Sequence, residues 1–162
     1  MLARSVTIGD SLRGAKRLRR IYDELQATVS AYQGPWGCPT IEGPSLGSTH
    51  REFDLGEASG VVKLWLLSHT QEEPQVVAPA QLKLFATGNA QASKDEVQEY
   101  VTARFDQEVD GDDAADAAVL AEIAWYLTTK ARPRTRVQAE VLHALRNPRP
   151  PVRRTNRRER QV

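Results

Sequence analysis

The 162-residue sequence has a single cysteine, Cys38, and only three histidines. One cysteine excludes an internal disulfide and a zinc site built from several cysteines, and it favours an intracellular, cytoplasmic compartment. No apolar run approaches the roughly 18 residues of a membrane span, and the N-terminus lacks the apolar segment of a secretory signal. A Gly-rich phosphate loop is also absent, so no nucleotide cofactor is expected. The overall composition, 40% hydrophobic and 27% charged, is ordinary for a globular protein.

The net charge of +1 hides a strong segregation of charge along the chain. Residues 146–162 contain seven arginines and one acid, which gives +6 and leaves −5 on the rest. A mildly acidic body with an arginine-rich tail predicts a polyanionic partner, which we expect Arg153, Arg154, Arg157 and Arg158 to contact. The alternative is a solvated, disordered terminus, and disorder is compatible with contact to nucleic acid.

Hydrophobic periodicity predicts alternating strands and helices, and therefore an α/β fold with a mixed sheet flanked by helices. The predicted strands are 4–8, 38–42 and 75–78; the predicted helices are 13–32, 54–68, 94–105, 112–127 and 137–145, with a helical turn at 79–85. Ser93 with Glu96 three residues later forms a capping box that predicts the start of one helix. The helix at 54–68 has a broad apolar face, which predicts burial on the sheet or in a dimer interface.

Three carboxylates are candidates for a common site. Asp113 and Asp116 lie three apart on one side of an alanine-rich helix, although helix capping and the helix dipole would also favour acids there. Glu42 ends a predicted strand just before Gly43-Pro44, at the sheet edge where α/β proteins bind ligands; an exposed strand-end acid is the alternative. A carboxylate cluster without histidine or cysteine suits Mg²⁺ or Mn²⁺. Two such ions roughly 4 Å apart support cleavage of phosphodiesters.

Three segments resemble the RuvC-type Holliday junction resolvases, in the shorter form found in bacteriophages. They are Ile41-Glu42-Gly43-Pro44, the stretch from Gln81-Leu82-Lys83 to Ala92-Ser93-Lys94-Asp95-Glu96-Val97, and Asp113-Ala114-Ala115-Asp116-Ala117. Their order and spacing fit over roughly residues 4 to 130. The resemblance implies an RNase H-like fold, a homodimer, and Mg²⁺-dependent nicking of paired strands in branched DNA, with Mn²⁺ able to substitute.

The same resemblance assigns roles to five residues. Glu42, Asp113 and Asp116 resemble three of the four metal-binding acids of the family. Lys83 and Lys94 resemble its basic residues near the scissile phosphate, and ordinary surface charge is the alternative for both lysines.

The chain departs from the family at its N-terminus. Family members begin with a strand of the form G-I-D-x-S, whose aspartate is the fourth metal ligand, and no segment here matches it. Residues 4–8 resemble the third strand of the family, so the first β-hairpin is expected to be missing, and Asp10 lies in the wrong place to replace the aspartate. We therefore expect an N-terminally incomplete nuclease domain over 1–130, followed over 131–162 by a short helix and an arginine-rich tail.

Three functions are compatible with these patterns. The first is a metal-dependent nuclease that resolves four-way junctions. The second is a catalytically weak or inactive dimer that binds branched DNA. The third is another RNase H-like nuclease that acts on forks, flaps or RNA–DNA hybrids.

Overall fold

The computed structural model describes residues 12–30, 36–43 and 52–148. The elements within these ranges are, in chain order, α1 (Gly14–Ser30), β1 (Thr40–Glu42), α2 (Glu52–Thr70), β2 (Gln75–Val77), α3 (Pro79–Thr87), α4 (Lys94–Phe105), α5 (Asp112–Thr129) and α6 (Arg136–Arg146). The predicted strand at 4–8, Asp10 and the arginines of the tail lie outside the described residues. Among the described helices, none has the length and apolarity needed to cross a membrane.

The two described strands form a parallel pair. Ile41 lies opposite Val76 and Glu42 opposite Val77. The pairing extends past β1, because Gly43 N donates to Val77 O at 2.8 Å. Parallel strands need a long crossover connection, which α2 provides. The described residues thus contain a small parallel sheet in a mostly helical structure, made of two of the three predicted strands.

Helix α5 lies at the centre of the fold. Val119 and Ile123 are fully buried, as the helical spacing predicts, and Leu120 and Leu127 pack against the same core while partly exposed. Strand β1 and helices α3, α4 and α6 all contact α5. The buried side of its first half is alanine (Ala114, Ala115 and Ala118). Small side chains allow neighbouring elements to approach the helix closely, which brings other elements near its N-terminal end.

Helices α3 and α4 begin and end at residues suited to those positions. Helix α3 has nine residues, longer than the single predicted turn, because Leu82 and Phe85 are both buried and hold it on the core. It ends at Gly88, whose φ of 80° is a left-handed conformation that glycine adopts without strain. The capping box of α4 is confirmed: Ser93 Oγ accepts from Glu96 N at 3.2 Å, and Ser93 N donates to Glu96 Oε2 at 2.6 Å.

Helix α6 packs against α3 and α5. Its buried side chains Val141, Leu142 and Leu145 belong to the same hydrophobic core as Ile123 of α5. The helix begins at Thr135, whose hydroxyl accepts from Gln138 N at 3.1 Å. Helix α6 therefore stabilises α3 and the central helix α5 against each other.

Helix α2 packs chiefly on α1 and leaves an apolar face uncovered in the single chain. Trp65 is buried between the two helices, and its indole Nε1 donates to Gln26 Oε1 at 3.2 Å. In contrast, the side chains of Phe53, Leu64 and Leu67 are exposed. Within the described residues, these three side chains do not pack on the sheet. His69 is exposed and stacks on Trp65.

Candidate active site

Strand β1 runs along α5 in the opposite direction, and two hydrogen bonds fix this arrangement. Cys38 N donates to Thr128 Oγ1 at 2.8 Å, and Thr40 Oγ1 donates to Leu120 O at 3.0 Å. Two further residues along a strand cover roughly 6.6 Å, and four residues back along a helix cover about 6 Å. Glu42 lies two residues after Thr40 on the strand, and Asp116 lies four residues before Leu120 on the helix. Both acids are therefore displaced by a similar distance from the Thr40–Leu120 hydrogen bond. The hydrogen bonds thus bring the end of β1 to the start of α5.

The electrostatics of the three candidate acids agree with this geometry. Burial raises the pKa of Glu42 above its ordinary value, and the negative charges of Asp116 and Asp113 raise it further. The pKa of Asp116 is raised first by burial and then by the charges of Asp112 and Asp113. Asp116 is half-buried, and the carboxylate of Glu42 is partly desolvated although the residue as a whole is exposed, so neither charge is fully screened by water. The site is therefore a concentration of partly desolvated negative charge.

The two candidate lysines border this cluster from α3 and α4. The positive charge of Lys83 opposes the raised pKa of Glu42 and also that of Asp116. Lys94 acts on Asp116 in the same sense, but its ammonium group is engaged by Asp112. The charges of Asp113 and Asp116 thus act on Glu42, and the charge of Lys83 acts on both Glu42 and Asp116. Lys94 is bound to Asp112, the residue directly before Asp113.

The donor set suits a hard divalent cation in its chemistry. Carboxylate oxygens are the ligands that Mg²⁺ and Mn²⁺ prefer, and a cation would relieve the repulsion that raises the pKa of Glu42 and Asp116. Over the ranges that the structure describes, however, no three His, Cys, Asp or Glu side chains are arranged around a single point as metal ligands. The prediction that the three carboxylates form one metal cluster stays a prediction.

A buried polar network lies on the opposite end of the α4–α5 contact and holds α5 in place. The Glu122 carboxylate accepts from Arg104 Nε and from Tyr100 OH, both at 2.7 Å. Gln138 Nε2 on α6 donates to the same Tyr100 oxygen at 3.1 Å and to Phe85 O of α3 at 3.4 Å. Burial beside Glu122 raises the pKa of Tyr100 well above its ordinary value, so the phenol remains a donor. The Glu122 carboxylate thus binds α5 to α4, and the hydrogen bonds of Gln138 extend the network to α6 and α3.

Sequence reasoning missed the partners of Lys94 and Glu122. Asp112 is the first residue of α5, as the sequence predicts, but its ion pair with Lys94 was not expected. Glu122 lies in an apolar segment where a lone charge is usually solvent-exposed, and no local pattern indicates Arg104 as its partner. One signal was available for Asp112: Lys94 and Gln98 lie four apart on one side of α4, and both contact it.

Comparisons with known proteins bear on the family and the fold of the chain. The family described as "Crossover junction endodeoxyribonuclease RuvC" matches residues 2–124. The structure of Thermus thermophilus RuvC is similar with a TM-score of 0.60 at 19% identity, covering 75% of this chain and 74% of that chain. The structure of T. thermophilus RuvC in complex with a Holliday junction substrate is similar with a TM-score of 0.60 at 18% identity, over 72% and 70% of the two chains. At these identities the two structures show a shared fold.

Proposed function

We propose that this chain, which belongs to the RuvC family of crossover junction endodeoxyribonucleases, is a metal-dependent nuclease that resolves four-way junctions and related branched DNA. The observation that carries the proposal is the electrostatic interaction of Glu42, at the end of β1, with Asp113 and Asp116, at the start of α5. The solved complex of the T. thermophilus relative with a Holliday junction supports branched DNA as the substrate. Recombination and replication produce such junctions, and we place the activity in the cytoplasm.

The acids are the proposed metal ligands. Glu42, Asp113 and Asp116 would hold Mg²⁺, or Mn²⁺ in its place. When bound, the ions would supply an activated water and stabilise the charge that develops on the leaving oxygen of a phosphodiester. The proposed contribution of the chain itself is threefold: to gather the negative charge, to exclude part of the solvent around Glu42 and Asp116, and to hold the DNA backbone.

The lysines are the proposed contacts to the scissile region. Lys83 lies on α3 beside Glu42 and Asp116, so a phosphate approaching the carboxylates would meet its ammonium group. Lys94 lies in the first turn of α4, and its charge also acts on Asp116. The tail residues Arg153, Arg154, Arg157 and Arg158 would add backbone contacts without sequence preference, because clustered arginines bind phosphate through charge.

A homodimer is proposed for the paired nicking that junction resolution requires. The exposed face of α2 supports it, since Leu64 keeps 66% of its surface accessible in the single chain, beside Phe53 and Leu67. Gly56 and Gly60 on this helix face open space and would let a second backbone approach. Leu64→Glu should convert the dimer to a monomer in light scattering, whereas Leu67→Gln at the edge of the face should weaken it less. A monomeric wild-type chain at high micromolar concentration would contradict the dimer.

A second candidate function is a catalytically inactive protein that binds branched DNA. It is favoured by the absence of a three-ligand arrangement among the described His, Cys, Asp and Glu side chains. A binding protein needs the basic residues and the fold, but not the converging carboxylates.

Cleavage of four-way, Y-shaped and linear DNA, with and without Mg²⁺, separates the two candidates. The nuclease predicts nicking of the four-way junction in Mg²⁺ and its loss in Asp116→Asn, which keeps the side-chain size and removes the charge. Junction binding by Asp116→Asn should be retained or tightened, because a negative charge facing phosphate is gone. Asp95→Asn, an exposed acid on α4, is the matched control and should nick normally. A wild-type chain that binds junctions but nicks none in Mg²⁺ or Mn²⁺ would favour the binding protein.

A further inference from the structure

The basic residue of α4 that faces the candidate site is already occupied by an acid of the same chain. Lys94 Nζ forms an ion pair with Asp112 Oδ2, and Gln98 Nε2 donates to the other carboxylate oxygen, Asp112 Oδ1, at 2.9 Å. Lys94 and Gln98 are one helical turn apart on α4, so each can bind one of the two carboxylate oxygens of Asp112. Gln98 thus fixes the carboxylate in the orientation that receives the lysine.

The ion pair is placed where DNA would have to arrive. Asp112 is the first residue of α5, directly before Asp113, and its charge acts on Asp116. Both partners reach solvent: the Lys94 side chain keeps 72% of its surface exposed and that of Asp112 keeps 36%. Exposed ion pairs are weak and exchange their partners readily. A backbone phosphate approaching the carboxylates could therefore replace Asp112 as the partner of Lys94.

We propose that Asp112 is a positioning residue that holds Lys94 in the DNA-free protein and releases it to a backbone phosphate of bound DNA. The inference rests on the proposed function for the identity of the ligand. Because Lys94 exchanges one anion for another, its contact with DNA adds less affinity than a free lysine would. Asp112 thereby weakens DNA binding, and the effect depends on the presence of Lys94.

Counterion release gives the inference a second measurable consequence. A free lysine that neutralises one phosphate releases about 0.9 of a condensed cation from duplex DNA, which steepens the dependence of affinity on salt. When Lys94 leaves Asp112 for a phosphate, the abandoned carboxylate attracts a cation again and offsets that release. The contact of Lys94 in the wild-type chain should therefore contribute little to the salt dependence, and removal of the Asp112 charge should expose it.

A double-mutant cycle on junction binding tests this, measured in EDTA so that metal-dependent cleavage cannot proceed. Asp112→Asn should tighten binding about two- to fivefold, the range that the strength of exposed ion pairs implies. It should also steepen the slope of log affinity against log salt by about 0.9. Asp110→Asn is the matched control, because this exposed acid lies two residues away and has no described partner, and it should change both quantities much less. In a Lys94→Gln background, Asp112→Asn should do no more than Asp110→Asn.

Two results would overturn the proposal: equal effects of Asp112→Asn and Asp110→Asn, or an effect of Asp112→Asn that persists without Lys94. Loss of a merely structural contact between α4 and α5 would not produce the dependence on Lys94 together with the change in salt slope. If Asp112→Asn does not fold, Asp112→Ser serves the same comparison, since serine is favoured at helix starts. A wild-type chain that binds junctions without nicking them refutes the proposed nuclease, whereas the binding cycle still decides the role of Asp112.

Discussion

Replacing Arg104 by Met should destabilise the protein strongly, because it leaves the Glu122 carboxylate buried without a cation. The Glu122 side chain is 2% exposed and that of Arg104 is 23% exposed, with Arg104 Nε 2.7 Å from Glu122 Oε1. Methionine retains most of the apolar stem of arginine, so the substitution removes the charge with little loss of packing. Tyr100 OH remains as a donor to the other oxygen at 2.7 Å.

The expected size follows from the burial of the two partners. Removing one partner of a buried ion pair costs about 3–5 kcal/mol. Here the Tyr100 donor is retained and Arg104 is partly solvated, so we expect a somewhat smaller loss of about 2–4 kcal/mol. For a chain of this length, such a loss lowers Tm by roughly 6–12 °C.

Urea denaturation followed by circular dichroism measures the free energy of unfolding. Arg136→Met is the matched control: Arg136 Nε lies 2.8 Å from Glu140 Oε1, a similar pair, but the Arg136 side chain is 91% exposed. This control should lose less than about 0.5 kcal/mol. Arg104→Met/Glu122→Leu should recover most of the stability, since apolar residues replace buried ion pairs well. The reasoning is refuted if Arg104→Met loses no more than Arg136→Met, or if the double variant is as unstable as the single one.

Four further predictions concern the site, a helix start and the tail. Nicking at limiting Mg²⁺ should decline on acidification at a higher pH than ordinary carboxyls of pKa about 4 would give, because the pKa of Glu42 and of Asp116 is raised; a pH profile set by ordinary carboxyls would contradict this. A raised pKa also means that ionised Asp116 destabilises the fold as pH rises through that pKa, so Asp116→Asn in EDTA should gain about 0.5–2 kcal/mol at pH 7 and nothing at pH 3, measured by urea denaturation. Ser93→Ala should cost about 1 kcal/mol by the same assay, and an unchanged midpoint would mean that the capping box contributes nothing. Deleting residues from Arg149 onward should weaken junction binding and flatten its salt dependence, and an unaltered slope would show that the tail does not contact DNA.

The features that sequence predicted well are those determined locally. The helix at 112–127 follows from alanine content and apolar spacing, and it is observed as Asp112–Thr129. The start of α4 follows from the Ser93 capping box, which the structure confirms. The approach of Glu42 to Asp113 and Asp116 was inferred from the topology of α/β sheets, and the electrostatic coupling of these acids agrees with it.

What the sequence could not predict depends on contacts between distant segments. The parallel pairing and the length of the two described strands could not be predicted, because the alternation of elements gives the order of strands but not their length or pairing. Helix α3 is longer than its composition indicates, because burial of Leu82 and Phe85 stabilises it in the folded protein. The partners of Lys94 and Glu122 lie eighteen residues away in each case, beyond any local pattern.

That common separation of eighteen residues has a structural meaning. Lys94 pairs with Asp112 and Arg104 pairs with Glu122, so ten residues along α4 correspond to ten residues along α5, and the two helices run in the same direction. Ten helical residues span about 15 Å, which separates the two ion pairs along the contact. The pair at the site is exposed and weak, whereas the pair at the far end is buried and costly to break. A phosphate can therefore displace Asp112 from Lys94 while Glu122 and Arg104 keep α5, and with it Asp113 and Asp116, in position.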